Sequence, residues 1–106
     1  MAWLYLLAAG LLECVWPIAL KESAGFSKLI PSLVTVVVGG LSLLLLSFAM
    51  RQIPLGTVYA VWTGIGATGV AVIGMVHYGD ATTTGRLVCI SLIVAGVIGL
   101  RIFSAE

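Results

Sequence analysis

The chain has 106 residues, 61% of them hydrophobic and 8% charged, and its formal net charge is +1. With a mean hydropathy of +1.24, there is too little polar surface to cover a water-soluble globule, so a soluble fold is excluded. The near-neutral charge gives no ground for a nucleic-acid partner. Apolar runs of helical span length, without sustained even–odd alternation, predict an all-α membrane protein rather than a β-barrel. Four short helices nearly use up the chain, which is read as one transmembrane domain over residues 1–106.

Helix 1 is expected over residues 2–20. Trp3 and Tyr5 stand near its start, where amphipathic rings favour the membrane interface, and Lys21 and Glu22 close it. The segment is read as a span rather than a secretory leader, because it lacks a positive n-region and carries an acid in its apolar run. That acid, Glu13, is the centre of the chain. An acid at mid-membrane costs about 2.5 to 3.5 kcal/mol on insertion scales and is rarely kept without a partner or a task. Leu6, Gly10, Glu13, Pro17 and Leu20 share a helix face, with Ala9 and Trp16 beside it, so small residues leave room one turn before the carboxylate. Pro17 cannot donate the hydrogen bond that the Glu13 carbonyl would accept four residues back, which predicts a kink or a water near that carbonyl. Cys14 and Cys89 lie in apolar segments without metal-ligand spacing and read as buried small hydrophobes.

A polar loop follows, and helix 2 is expected over residues 29–50, uncharged between Lys28 and Arg51. Thr35, Gly39, Ser42, Leu46 and Ala49 make a mostly small stripe that permits close packing, while Leu43, Leu44, Leu45 and Leu46 suit lipid contact. Ser42 is the mid-helix hydroxyl that can reach another side chain or bond back to its own helix.

Helix 3, expected over residues 56–76, is rich in glycine. Gly64, Gly66 and Gly69 spell a dinucleotide-binding fingerprint by letter, but no strand precedes them, and close packing with a bendable backbone is the better reading. Tyr59, Trp62, Thr63 and Gly66 cluster on one face; Trp62 lies deep enough to serve a site, and Tyr59 near enough to an end to anchor at the interface. His77 and Asp80 begin the last loop and read as solvated, so neither a metal nor a cofactor is expected. Helix 4 is expected over residues 86–103. Arg86 and Arg101 are only about 21 Å apart along it, which puts Arg101 near the boundary. Ser91, Ala95 and Gly99 recur every four residues, a small-residue pattern read as a dimer interface.

Four spans put Lys21, Lys28 and Arg86 on one side, and Arg51, Arg101 and the amino terminus on the other. With the charge bias nearly absent, such a chain can insert both ways, which gives dual topology and allows an antiparallel pair of identical chains. Two copies bring two Glu13 residues into one cavity, where they titrate as a coupled pair and can hold either protons or a cation.

Glu13 with Trp16, Leu20-Lys21, Ser42, the segment from Gly56 to Ala67 and the terminal Gly96-Val97-Ile98-Gly99-Leu100 together resemble the small multidrug resistance family over essentially the whole chain. The resemblance implies an antiparallel homodimer exchanging protons for cations across the bacterial inner membrane: a transporter, not an enzyme. Trp16 and the segment Trp62-Thr63-Gly64-Ile65-Gly66 resemble the guanidinium-exporting branch. By that resemblance Glu13 binds substrate and proton, Trp16 and Ser42 orient it, and Tyr59 and Trp62 wall the site. Pro17, Cys14 and Arg101 depart from the branch pattern, and Pro17 bears on cavity shape. A broader exporter of quaternary ammonium cations is the alternative, and a small channel or structural subunit is the alternative of another class.

Overall fold

The computed structural model describes residues 1–103. Four helices follow one another: α1 (Ala2–Glu22), α2 (Leu29–Ala49), α3 (Leu55–His77) and α4 (Thr84–Ile102). Each is long and apolar enough to cross a membrane. With 21 residues α1 rises about 31 Å, the thickness of a hydrocarbon core. Among the described residues there is no strand.

The ends shift slightly from the sequence expectation, for local reasons. α1 runs on through Glu22 because Ser23 continues its backbone bonds, donating from its amide to the carbonyls of Ala19 and Leu20. α4 begins at Thr84 rather than Arg86, because the hydroxyl of Thr83 accepts from the Arg86 amide at 3.3 Å and satisfies a first-turn donor. α3 starts at Leu55, with the Pro54 carbonyl accepting from the Val58 amide.

The α1–α2 loop is more organised than its polar composition suggested. Ser23 is fully buried; its hydroxyl donates to the Leu20 carbonyl at 2.6 Å and accepts from the Phe26 amide at 3.1 Å. The residues it spans, Ala24, Gly25 and Phe26, all have positive φ, a conformation that Ala and Phe adopt only when the surroundings hold them there.

α1 is the hub. It packs most extensively on α2 and then on α3, while α4 lies along α3 alone. The stripe foreseen on α2 faces inward, with Thr35, Ser42, Leu46 and Ala49 buried. Leu43 and Leu44 face outward as expected of lipid contact, whereas Leu46 points into the core and corrects that expectation. Cys89 is likewise exposed on α4, where the outer solvent is lipid, instead of buried.

The core is lopsided. Ala2, Leu6, Ala9, Leu46, Ala49, Ile53, Val58, Val61 and Trp62 form it, from the starts of α1 and α3, the end of α2 and the turn that joins α2 to α3. Burial on α1 stops at Gly10. Beyond that level no residue of α1 is fully buried, and Glu13 stands one turn past the boundary.

Candidate functional site

Glycines set the distance between α1 and α3. A Cβ at Gly10 would come within 2.9 Å of the Ile65 side chain, one at Gly66 would collide with the side chain of Glu13, and one at Gly69 would collide with that of Cys14. Residues of α1 and α3 therefore interlock, each large side chain seated on a glycine opposite. Gly64 makes the corresponding close approach to Val97 on α4. The Cys14 thiol is held in this seam, donating to the carbonyls of Gly10 at 3.4 Å and Ile65 at 3.5 Å.

Seated on Gly66, the Glu13 side chain is half-buried. Its Oε1 is fully covered and has no hydrogen-bond partner among the described residues. The carboxylate lines a cavity of about 280 Å³ with Trp16, Pro17, Thr63, Gly66, Ala67 and Val70. Thr63 and Ala67 on its wall are exposed, so it opens on that side. A buried, unsatisfied acceptor in lipid is costly, which makes Glu13 the candidate centre of the site.

Trp16 joins this cavity to a second one of about 380 Å³, lined also by Thr35, Val36, Gly39, Leu43 and Trp62. Gly39 makes room for the indole of Trp16, whose ring atoms lie 3.6 to 3.9 Å from where its Cβ would be. The Thr35 hydroxyl is turned away, donating to the Pro31 carbonyl at 2.8 Å.

Ser42 sits elsewhere than beside the carboxylate. Fully buried, it donates to the Ala9 carbonyl of α1 at 2.8 Å and accepts from Trp62 Nε1 of α3 at 3.1 Å. One hydroxyl thus ties three helices together, using both of its hydrogen-bonding roles. The side chain neither bonds back to its own helix nor touches Glu13 within one chain. Trp62 is buried, and the ring of the exposed Tyr59 leans on it at 5.6 Å between centroids. Both aromatic residues therefore belong to the second cavity's side of Trp16; neither lines the Glu13 cavity in a single chain. Pro17, Thr63, Ala67 and Val70 were not foreseen on the Glu13 wall as a set, although Thr63 shared the face of Tyr59, Trp62 and Gly66; helical spacing across α1 and α3 was the available signal.

The two ends of the bundle carry the charge. At one, Arg101 lies 4.9 Å from the Trp3 ring centre and Arg51 lies 5.2 Å from that of Phe48, which in turn contacts Tyr5. At the other, the Tyr78 hydroxyl donates to the Glu22 carboxylate, Lys21 covers the Tyr78 ring at 5.0 Å, and Arg86 pairs with Asp80 at 3.6 Å. The hydrogen bond to Glu22 pushes the Tyr78 hydroxyl above the usual phenol range, with burial and the negative charge of Glu22 adding to it.

Ser91 and Ala95 are exposed, and no residue of α4 is buried within the chain. Among the described residues, no side chain or other helix lies within 4 Å of where a Cβ of Gly96 or Gly99 would stand. The Ser91 hydroxyl bonds back to the Leu87 carbonyl at 2.9 Å, so this face presents a smooth row of small groups.

Four helices able to cross a membrane, with an acid inside the first, define a multi-pass membrane protein. The match of residues 1–93 to the Small Multidrug Resistance protein family makes the chain a member of that family of transporters. Among similar proteins, the guanidinium exporter of Yersinia pseudotuberculosis is 51% identical over 104 residues, covering 98% of this chain and 100% of the relative. Those of Salmonella typhimurium and Klebsiella oxytoca are 50% and 51% identical over 102 residues, covering 96% of this chain and 97% of each relative.

Proposed function

We propose that this chain is a proton-coupled antiporter that exports guanidinium or small substituted guanidinium cations across the bacterial inner membrane. The observation that carries the reading is the covered, unpartnered Oε1 of Glu13 in a cavity walled by the indole of Trp16. A carboxylate fork matches the paired N–H donors of a planar guanidinium, and an aromatic face attracts its charge. The named activity of the similar proteins supports the same substrate.

The working unit in this reading is an antiparallel homodimer. The row Ser91, Ala95 and Gly99, left uncovered by the chain's own helices, supplies its close contact. Two Glu13 carboxylates then share one cavity, with Trp16, Ser42, Tyr59 and Trp62 of both copies around them. Protons or a cation neutralise the pair, and each excludes the other. A bare anionic pair crosses a low-dielectric barrier poorly, whereas either loaded form crosses well, so the proton gradient drives cation export. No covalent bond is made or broken, and the cycle calls on neither metal nor cofactor.

The mainly apolar cavity beyond Trp16 favours a second reading, in which alkylated or quaternary ammonium cations are also carried. Currents recorded on a solid-supported membrane with purified protein in liposomes test both. Guanidinium and guanylurea currents that vanish in Glu13→Gln are the expected result. Currents mainly for tetraethylammonium would transfer the assignment to the broader exporter. Currents unaffected by Glu13→Gln would overturn the central-acid mechanism and favour a channel.

A further inference from the structure

Pro17 lies inside α1, four residues after Glu13, and lines the same cavity as the Glu13 side chain. Proline has no amide hydrogen, so the Glu13 carbonyl loses its ordinary helical donor. A helical carbonyl points along the axis toward the residue four places on, here toward the Pro17 ring on the cavity wall. The same residue therefore carries two acceptors without their ordinary partners at the wall of one cavity: a covered side-chain Oε1 with no partner among the described residues, and a main-chain oxygen whose helical donor Pro17 removes. Thr63, across the cavity on α3, adds a hydroxyl to the lining. Unpaired acceptors inside a membrane are stable only where a donor or water reaches them.

We propose that the main-chain carbonyl of Glu13, released by Pro17, is a second oxygen ligand for the cation, so that this site selects cations with several N–H donors over cations with none. The inference rests on the guanidinium reading above and adds to it the atom that sets selectivity. A guanidinium bound to the carboxylate fork through one edge still presents N–H groups along its other edges, and the carbonyl one helical turn from Pro17 accepts one of them. Tetramethylammonium, with a similar charge and no N–H, gains nothing from that oxygen.

The test compares wild type with Pro17→Ala, which restores an amide donor to the Glu13 carbonyl and adds a good helix former. Binding of guanidinium and of tetramethylammonium is measured on both proteins in liposomes, with thermal melts to establish that both are folded. Loss of a hydrogen bond to a charged ligand predicts guanidinium binding weaker by on the order of tenfold in Pro17→Ala. Tetramethylammonium binding should change by several-fold less than guanidinium binding. A carbonyl carbon-13 label at Glu13, read by solid-state NMR in wild type, should shift on adding guanidinium and stay put on adding tetramethylammonium. An equal effect of Pro17→Ala on both cations, or a Glu13 carbonyl resonance indifferent to guanidinium, would overturn the proposal while leaving guanidinium export standing. Absence of guanidinium binding to wild type would overturn both.

Discussion

The side chain of Glu13 rests on Gly66 so closely that no Cβ fits between them. The seat holds the carboxylate in the cavity, half-buried and with Oε1 unpartnered, and makes the packing of α1 against α3 part of the site's geometry. Gly66→Ala must push Glu13 aside or part the two helices, at an overpacking cost of about 1–3 kcal/mol. Guanidinium-driven currents should fall by more than tenfold, while the four helices persist by circular dichroism. A variant with wild-type currents would mean that the seat is not needed for transport.

Ser42 joins α1, α2 and α3 through the Ala9 carbonyl and the Trp62 indole. Ser42→Ala strands the buried Trp62 Nε1–H, while the Ala9 carbonyl, inside α1, loses only its second donor. A loss of about 1–2 kcal/mol in unfolding free energy is expected, toward the upper range for hydrogen bonds between membrane helices, because a buried donor is left without a partner. Unfolding in mixed micelles measures it. Ser42→Thr, which keeps the hydroxyl, should recover part of the loss.

The Tyr78 hydroxyl donates to Glu22 and titrates above its ordinary value. A raised pKa in the folded state means that the latch between α1 and the α3–α4 loop is fully present below the ordinary tyrosine pKa and is lost as pH rises through the folded one. Ultraviolet titration of wild type, with Tyr78→Phe subtracted, should place Tyr78 above a model tyrosine. In Glu22→Ala its midpoint should drop toward that model. A midpoint unmoved by Glu22→Ala would contradict the contact.

Among the described residues, no side chain or neighbouring helix lies within 4 Å of where a Cβ of Gly99 would stand. Gly99→Leu should therefore leave the monomer's fold unchanged yet block close approach of a second copy along Ser91, Ala95 and Gly99. Cross-linking in membranes should show loss of dimer together with loss of transport. Retained dimer would place the interface elsewhere.

How far the site could be read from residues alone varied with the kind of information needed. Glu13 stood out because a lone acid in an apolar run is expensive wherever the helix lies. The small faces of α1, α2 and α3 followed from helical spacing, which repeats regardless of partners. Ser42 was recognised as a polar handle, but its partners, Ala9 and Trp62, are distant in the chain and set by how three helices cross. The ordering of the α1–α2 loop by Ser23 was missed too, since a buried serine and an exposed one look alike in sequence.

The sequence by itself determined that four spans cross a membrane, because bilayer thickness and backbone hydrogen bonding leave long apolar segments no other stable form. It also determined that Glu13 lies within the first of them and that Pro17 withholds a donor from its carbonyl, since both are properties of covalent order. Only the tertiary structure decided that full burial on α1 stops at Gly10, that Glu13 is seated on Gly66, and that Trp16 lines both the acid's cavity and that of Trp62. Those facts depend on which side chains meet across helices, and in a chain this uniformly apolar, close packing chooses among partners that hydropathy cannot tell apart.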